Sequence, residues 1–150
     1  MPQSLSSLNF HFVFSTQHRR ALISRQIEPE LHKYIAGVLG SKRNRLLTAG
    51  GMPDHLHLLV SLDRQISVSE ALRDIKSNSS RWIRRKFSNR KRFGWQTGYA
   101  AFSVSFSQVK QVRHYIETQK SHHQKRTFKE ELVGLLKMHR MDFEERYLWD

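Results

Sequence analysis

The sequence contains no cysteine. That excludes a disulfide framework, a thiolate metal site and a cysteine nucleophile, and it fits a reducing cytosol. Proline is scarce. Pro2, Pro29 and Pro53 fall near proposed element boundaries, and no linker divides the chain. Long apolar runs are missing too. The stretch from Leu8 to Phe14 alternates with Asn9 and His11 and is too short for a membrane span or a signal peptide, so nothing anchors the chain to a bilayer. There is no phosphate-cradling glycine loop and no Ser-His-Asp arrangement. With no repeat or low-complexity tract, the 150 residues read as one domain spanning 1–150.

Acidic residues are also in short supply. There are 13 Asp and Glu against 26 Lys and Arg, a net charge of +13 and a pI near 10.6. An excess this large opposes folding by self-repulsion and points to a polyanionic partner. The basic residues are spread over several segments instead of one amphipathic helix, which favours nucleic acid over a membrane surface. Candidate phosphate contacts are Arg19, Arg20, Arg81, Arg84, Arg85, Lys86, Arg90, Lys91 and Arg92. Trp82, Phe93, Trp95 and Tyr99 interleave with them and could stack on splayed bases. Trp82 reads better as a core residue.

The hydrophobic pattern supplies the elements. Residues 7–15 alternate, with Leu8, Phe10, Phe12 and Phe14 on one side and Asn9, His11, Val13 and Ser15 on the other, as in a half-buried strand. Ser24 can cap a helix running to about Gly40, with Ile27, Leu31, Ile35, Val38 and Leu39 as its apolar stripe. A short strand from Arg45 to Ala49 leads into a turn over residues 50–54, and residues 55–62 form the next strand. Ser67 or Ser69 opens a helix reaching about Phe87. Residues 99–106 alternate again, Ser107 caps a helix through about His122, and a last helix covers Phe128 to Met138. This βαββαβ order predicts an α+β, ferredoxin-like antiparallel sheet with helices on one face and extra C-terminal helices.

Two sets of residues could carry chemistry. His55 and His57 lie two apart on a strand, so their rings share a face and can converge on one metal ion. Two ligands would leave coordination positions open, as catalysis requires. The same spacing also suits two polar residues on the open face of a half-buried sheet. Tyr115 and Gln119 lie four apart on one helix, at the flank of the stripe Val109, Val112, Ile116. A tyrosine oxygen can attack phosphorus and hold a covalent intermediate, and Gln119 offers a carbonyl ligand. Spacing alone is better explained by an interfacial core tyrosine and a solvated glutamine, and Tyr34, Tyr99 and Tyr147 are rival nucleophiles. His122 and His123 lie close enough beyond Gln119 to reach the same site. His11 falls on the same side of its strand as Val13 and could stand beside the pair.

Four segments together are more specific than any one. The run Gly-Met-Pro-Asp-His-Leu-His-Leu-Leu-Val at 51–60 resembles the His-hydrophobic-His strand of the single-tyrosine HUH transposases of the IS200/IS605 insertion sequences. Tyr-Ile-Glu-Thr-Gln at 115–119 is similar to their nucleophile helix. Residues 12–20 and 95–105 resemble their first strand and the approach to their last. The likeness covers nearly the whole chain in order. It implies that His55 and His57 bind Mg²⁺ or Mn²⁺ with Gln119 as third ligand, or with His122 or His123 in its place. It implies that Tyr115 attacks the scissile phosphate, becomes linked to the 5′ side and frees a 3′-hydroxyl. It further implies a homodimer joined at sheet edges, with the tyrosine helix of one subunit completing the metal site of the other. The implied substrate is single-stranded DNA with hairpin ends, and the implied setting is the cytoplasm of a bacterial or archaeal cell, at the nucleoid. Two alternatives share part of this pattern: a related HUH nuclease acting on repetitive palindromes, and a non-catalytic nucleic-acid-binding ferredoxin-like module that would display aromatics on its central strands. A basic ribosomal protein would explain the charge but not the His55, His57, Tyr115 and Gln119 set.

Overall fold

The computed structural model of the protein describes residues 3–122 and 125–149. Four strands form one antiparallel sheet: β1 (Asn9–Ser15), β2 (Arg45–Met52), β3 (His55–Ser61) and β4 (Ala100–Val104). Their order is β2-β3-β1-β4, so the two central strands are β3 and β1. Helix α1 (Ile27–Gly40) connects β1 to β2, and α2 (Val68–Lys86) connects β3 to β4. The chain ends in α3 (Val109–Glu117), α4 (Gln119–His122) and α5 (Phe128–Met138). The βαββαβ core is the ferredoxin-like arrangement that the alternation predicts. Among the described residues, no helix is long and apolar enough to cross a membrane.

Strand alternation sorts side chains into two layers. Phe12 and Phe14 of β1 and Leu56, Leu58 and Val60 of β3 face α1 and α2, where Leu31, Ile35, Leu72 and Ile75 complete a buried apolar cluster. The helix starts are chemically marked. The Ser67 side chain accepts a hydrogen bond from the Glu70 N–H, which makes Ser67 and not Ser69 the N-cap of α2. Thr127 and Glu130 form a reciprocal capping box at the start of α5.

The C-terminal helices close the opposite face. Val13 and Phe102 pack against Phe128, Leu132, Leu135 and Leu136 of α5, and Leu59 and Val104 pack against Ile116 of α3. The histidine face of β3 is therefore covered, not open to solvent.

Three local expectations are corrected. Strand β2 continues through Gly50 and Gly51 to Met52, and the turn shrinks to Pro53 and Asp54. The glycines serve close approach: a Cβ on Gly50 would overlap the carbonyl oxygen of Ile116 in α3, and one on Gly51 would overlap that of His55. Strand β4 is shorter than residues 99–106, because a 3-10 turn at Phe106–Gln108 precedes α3. The helix expected from Ser107 to about His122 is broken at Thr118, whose φ of −106° and ψ of 23° are not helical. Tyr115 thus lies in the last turn of α3 while Gln119 begins α4.

Candidate metal and tyrosine site

His55 and His57 project from the same face of β3, and both are completely buried. Their ring centroids lie 5.1 Å apart. Each ring is oriented by a partner on its Nδ1. His55 Nδ1 donates to Asp54 Oδ1 at 2.7 Å, and His57 Nδ1 lies 2.8 Å from Nε2 of His11. His11 reaches His57 diagonally, because the register pairs His11 with Leu59 and Val13 with His57. Both histidines are thereby turned with Nε2 toward one point, the arrangement in which a neighbour holds the tautomer of a metal ligand.

Glu131 of α5 occupies that point. Its Oε1 lies 3.0 Å from His57 Nε2 and 3.3 Å from His55 Nε2, and the residue is completely buried. Its other oxygen accepts from the Tyr115 hydroxyl and, at 2.9 Å, from Gln119 Nε2. Gln119 turns its carbonyl oxygen to within 3.3 Å of His55 Nε2. Arg126 Nη2 donates to the Tyr115 oxygen at 3.2 Å. A buried carboxylate is tolerated only when its oxygens are engaged, and both are engaged here.

These contacts set the protonation states. Burial alone would lower the pKa of His55. Its hydrogen bonds to Asp54 and Glu131 outweigh that and raise it to about 9. Burial, with His57 alongside, lowers His11 to about 3, so this imidazole stays neutral and relays a hydrogen bond without adding charge. Burial and the bond to Glu131 push the Tyr115 phenol above its usual value, while Arg126 pulls in the opposite direction.

The structure brings His55, His57, Tyr115 and Gln119 together, with His11 beside them. Tyr34 instead stacks on Trp82 at 4.7 Å between α1 and α2, and Tyr99 and Tyr147 are exposed. Trp82, expected in the core, is only half-buried at its edge. His123 and the side chain of His122 lie outside the described residues. Within this chain Tyr115 stands at its own histidines, its ring centroid 5.9 Å from that of His57.

Most of the basic candidates lie elsewhere. Arg81, Arg84, Arg85 and Lys86 are exposed on α2, in the layer across the sheet from the histidines. Arg90 donates to the Leu22 carbonyl at 2.8 Å, and Arg20, Lys91 and Arg92 are exposed. Arg19 alone of the nine lines the cleft of about 560 Å³ that opens beside Asp54 and Arg126.

Glu131 is the residue that the sequence reading misses. Its signal was an acid in the middle of an apolar stripe: Phe128, Leu132, Leu135 and Leu136 are the other buried residues of α5. A charge at such a position needs partners from elsewhere in the fold.

The donor set fits a divalent metal. His55, His57 and Glu131 each offer one ligand atom, all within 4.8 Å of one another and all buried. Two imidazoles and a carboxylate suit a first-row ion such as Mn²⁺ and are less typical of Mg²⁺, which favours oxygen.

Known proteins share this chain's sequence pattern and fold. The TnpA transposase of ISDra2 from Deinococcus radiodurans is 24% identical over 117 residues, covering 75% of this chain and 84% of the relative. The transposase of insertion sequence element IS200 from Salmonella typhimurium is 27% identical over 115 residues, covering 73% of this chain and 75% of the relative. A crystal structure of a candidate transposase from D. radiodurans R1 superposes with a TM-score of 0.65 at 22% identity, over 77% of this chain and 93% of that one. A REP-associated tyrosine transposase bound to a REP hairpin gives 0.54 at 17% identity, over 76% of this chain and 65% of that one. These two structures share the fold. The family described as IS200-like transposases matches residues 4–119, a span that contains His55, His57, Tyr115 and Gln119, and the chain belongs to that family.

Proposed function

We propose that this transposase cleaves and rejoins single-stranded DNA through Tyr115, with a divalent cation, Mg²⁺ or Mn²⁺, held by His55 and His57 together with Glu131 and the Gln119 carbonyl. The observation that carries this reading is the meeting of the Tyr115 hydroxyl with the same carboxylate that stands between the two histidines. A nucleophile and a metal site joined by one side chain can act on one phosphodiester.

A cation bound there would polarise a non-bridging phosphate oxygen as a Lewis acid. The chain's own residues supply the rest. Asp54 and His11 hold the two imidazoles in the orientation that presents Nε2. Glu131 fixes the phenol in place before substrate arrives. In the transfer itself the Tyr115 oxygen forms a bond to phosphorus and the bond from phosphorus to the 3′-oxygen breaks. The phenol loses its proton and the departing 3′-oxygen gains one. The product is a 5′-phosphotyrosine and a 3′-hydroxyl, which can reverse the step on a second strand without any nucleotide cofactor. Hairpin ends as substrate are supported by the relative bound to a REP hairpin, and by the surplus of positive charge. We assign the whole of residues 1–150 to one such domain, acting as a homodimer at the nucleoid.

A binding module that stacks bases on its central strands finds little support, because Phe12 and Phe14 are buried under α1 and α2. The test is incubation with labelled single-stranded DNA from the flanks of the gene, with Mn²⁺, Mg²⁺ or EDTA. A metal-dependent covalent band on a denaturing gel, lost in Tyr115→Phe, is expected. Salt-sensitive binding with no band on any flank would refute the catalytic reading.

A further inference from the structure

The cleft of about 560 Å³ is lined in part by residues that contact Tyr115 and His55. Its walls include Asp54, which orients His55, and Arg126, which donates to the Tyr115 oxygen. Arg19 and Lys125 line it as well. Its three cations, Arg19, Lys125 and Arg126, outnumber the carboxylates of Asp54 and Glu130, and through Asp54 and Arg126 it borders the groups that contact His55 and Tyr115. Arg126 lies beyond residue 119, where the family match ends.

We propose that Arg126 is the residue that binds the scissile phosphodiester and holds it against Tyr115. This rests on Tyr115 being the nucleophile. A guanidinium carries five N–H donors in a fixed plane. In the structure one of its nitrogens, Nη2, is on the phenol oxygen at 3.2 Å. The plane has further donors for non-bridging phosphate oxygens, in the paired geometry that arginine makes with phosphates. The same side chain thus touches the attacking atom and can touch the group attacked. The side chain lies along α5, with Nη1 3.7 Å from the place a Cβ on Gly134 would take. As phosphorus becomes five-coordinate, negative charge grows on the equatorial oxygens, where a donor already in position lowers the barrier. Arg126 also stays beside the tyrosine oxygen once that oxygen is esterified, so it would serve the return step as well.

The experiment compares adduct formation by the full chain, by Arg126→Ala and by Arg126→Lys, under single-turnover conditions over a range of DNA concentrations. Arg126→Ala is expected to slow the covalent step about 100- to 1000-fold, as loss of one preorganised donor does. Arg126→Lys is expected to recover apparent DNA affinity but only part of the rate, because it restores charge without the planar fork. Melting temperatures of the three proteins report whether the fold is intact. A second measurement needs no cleavage: titration of the 15N-labelled chain with inorganic phosphate, following the Arg126 Nε–Hε resonance. Saturable movement of that resonance is expected. A normal rate in folded Arg126→Ala, or a resonance that phosphate does not move, would overturn the proposal. Because wild type and Tyr115→Phe are run beside these variants, an adduct that depends on Tyr115 but not on Arg126 sinks this inference alone. If wild type makes no adduct, the nucleophile reading falls and the phosphate titration still decides the binding role.

Discussion

The two faces of the sheet are built from the same strands and do opposite things. On the face under α1 and α2, Phe12, Phe14, Leu56, Leu58 and Val60 pack into one apolar cluster. On the face under α3 and α5, the alternate residues His11, His55 and His57 meet Glu131, Gln119 and Tyr115. Both are buried. One face gains free energy from every contact it makes. The other must repay the desolvation of each ionisable group with a hydrogen bond, and its net gain is small. A period-two strand lets a small protein separate stability from chemistry without separating them in sequence.

Substitutions can break that contrast. Glu131→Leu removes the carboxylate but keeps a side chain of similar size among Phe128, Leu132 and Leu135. Adduct formation should fall at least about 100-fold, and stability should fall too, by roughly 3–5 kcal/mol, because removing one partner of a buried ionic cluster takes the counter-charge and acceptor from the groups left behind. A gel assay and a melting curve on one preparation check both. Leu58→Ala should cost stability alone: a loss of about 2–5 kcal/mol in urea titration, with near-normal adduct yield per folded molecule. Equal damage to activity and stability from both changes would erase the distinction between the faces.

Gly50→Ala tests how the two layers meet. A methyl group there collides with the Ile116 carbonyl, so α3 must move away from β2. The expected cost is about 1–3 kcal/mol, with a disproportionate drop in adduct formation because Tyr115 moves with α3. A stability loss with unchanged activity would show that the tyrosine's position does not depend on this contact. The smallest effect belongs to Thr127→Ala, which removes the α5 cap for about 1 kcal/mol. Hydrogen exchange should rise first near the start of α5.

Much of this was legible in the sequence because it is local. The alternation of Phe10, Phe12 and Phe14 and the His55/His57 spacing each predict a strand and a shared face. The Ser67 cap places the start of α2 within a turn. What escaped depends on long-range packing. Gly50 and Gly51 look like a turn until the backbones of Ile116 and His55 are seen against them. Glu131 lies 74 residues from His57, so spacing could not pair them. Arg126 is one of many basic residues until the Tyr115 oxygen lies beside it. The α2 arginines drew notice because they cluster in sequence, yet they decorate the layer away from the tyrosine.

The central claim is that Tyr115 is the atom donor in the covalent intermediate. It is tested most directly by trapping the adduct on single-stranded DNA with Mn²⁺, digesting it with trypsin and nuclease, and mapping the nucleotide-bearing peptide by mass spectrometry. The account predicts that the mass of the remaining nucleotide sits on the peptide from His114 to Lys120, and that EDTA abolishes it. A nucleotide found on Tyr34, Tyr99 or Tyr147, or an adduct that forms equally well in EDTA, would contradict it.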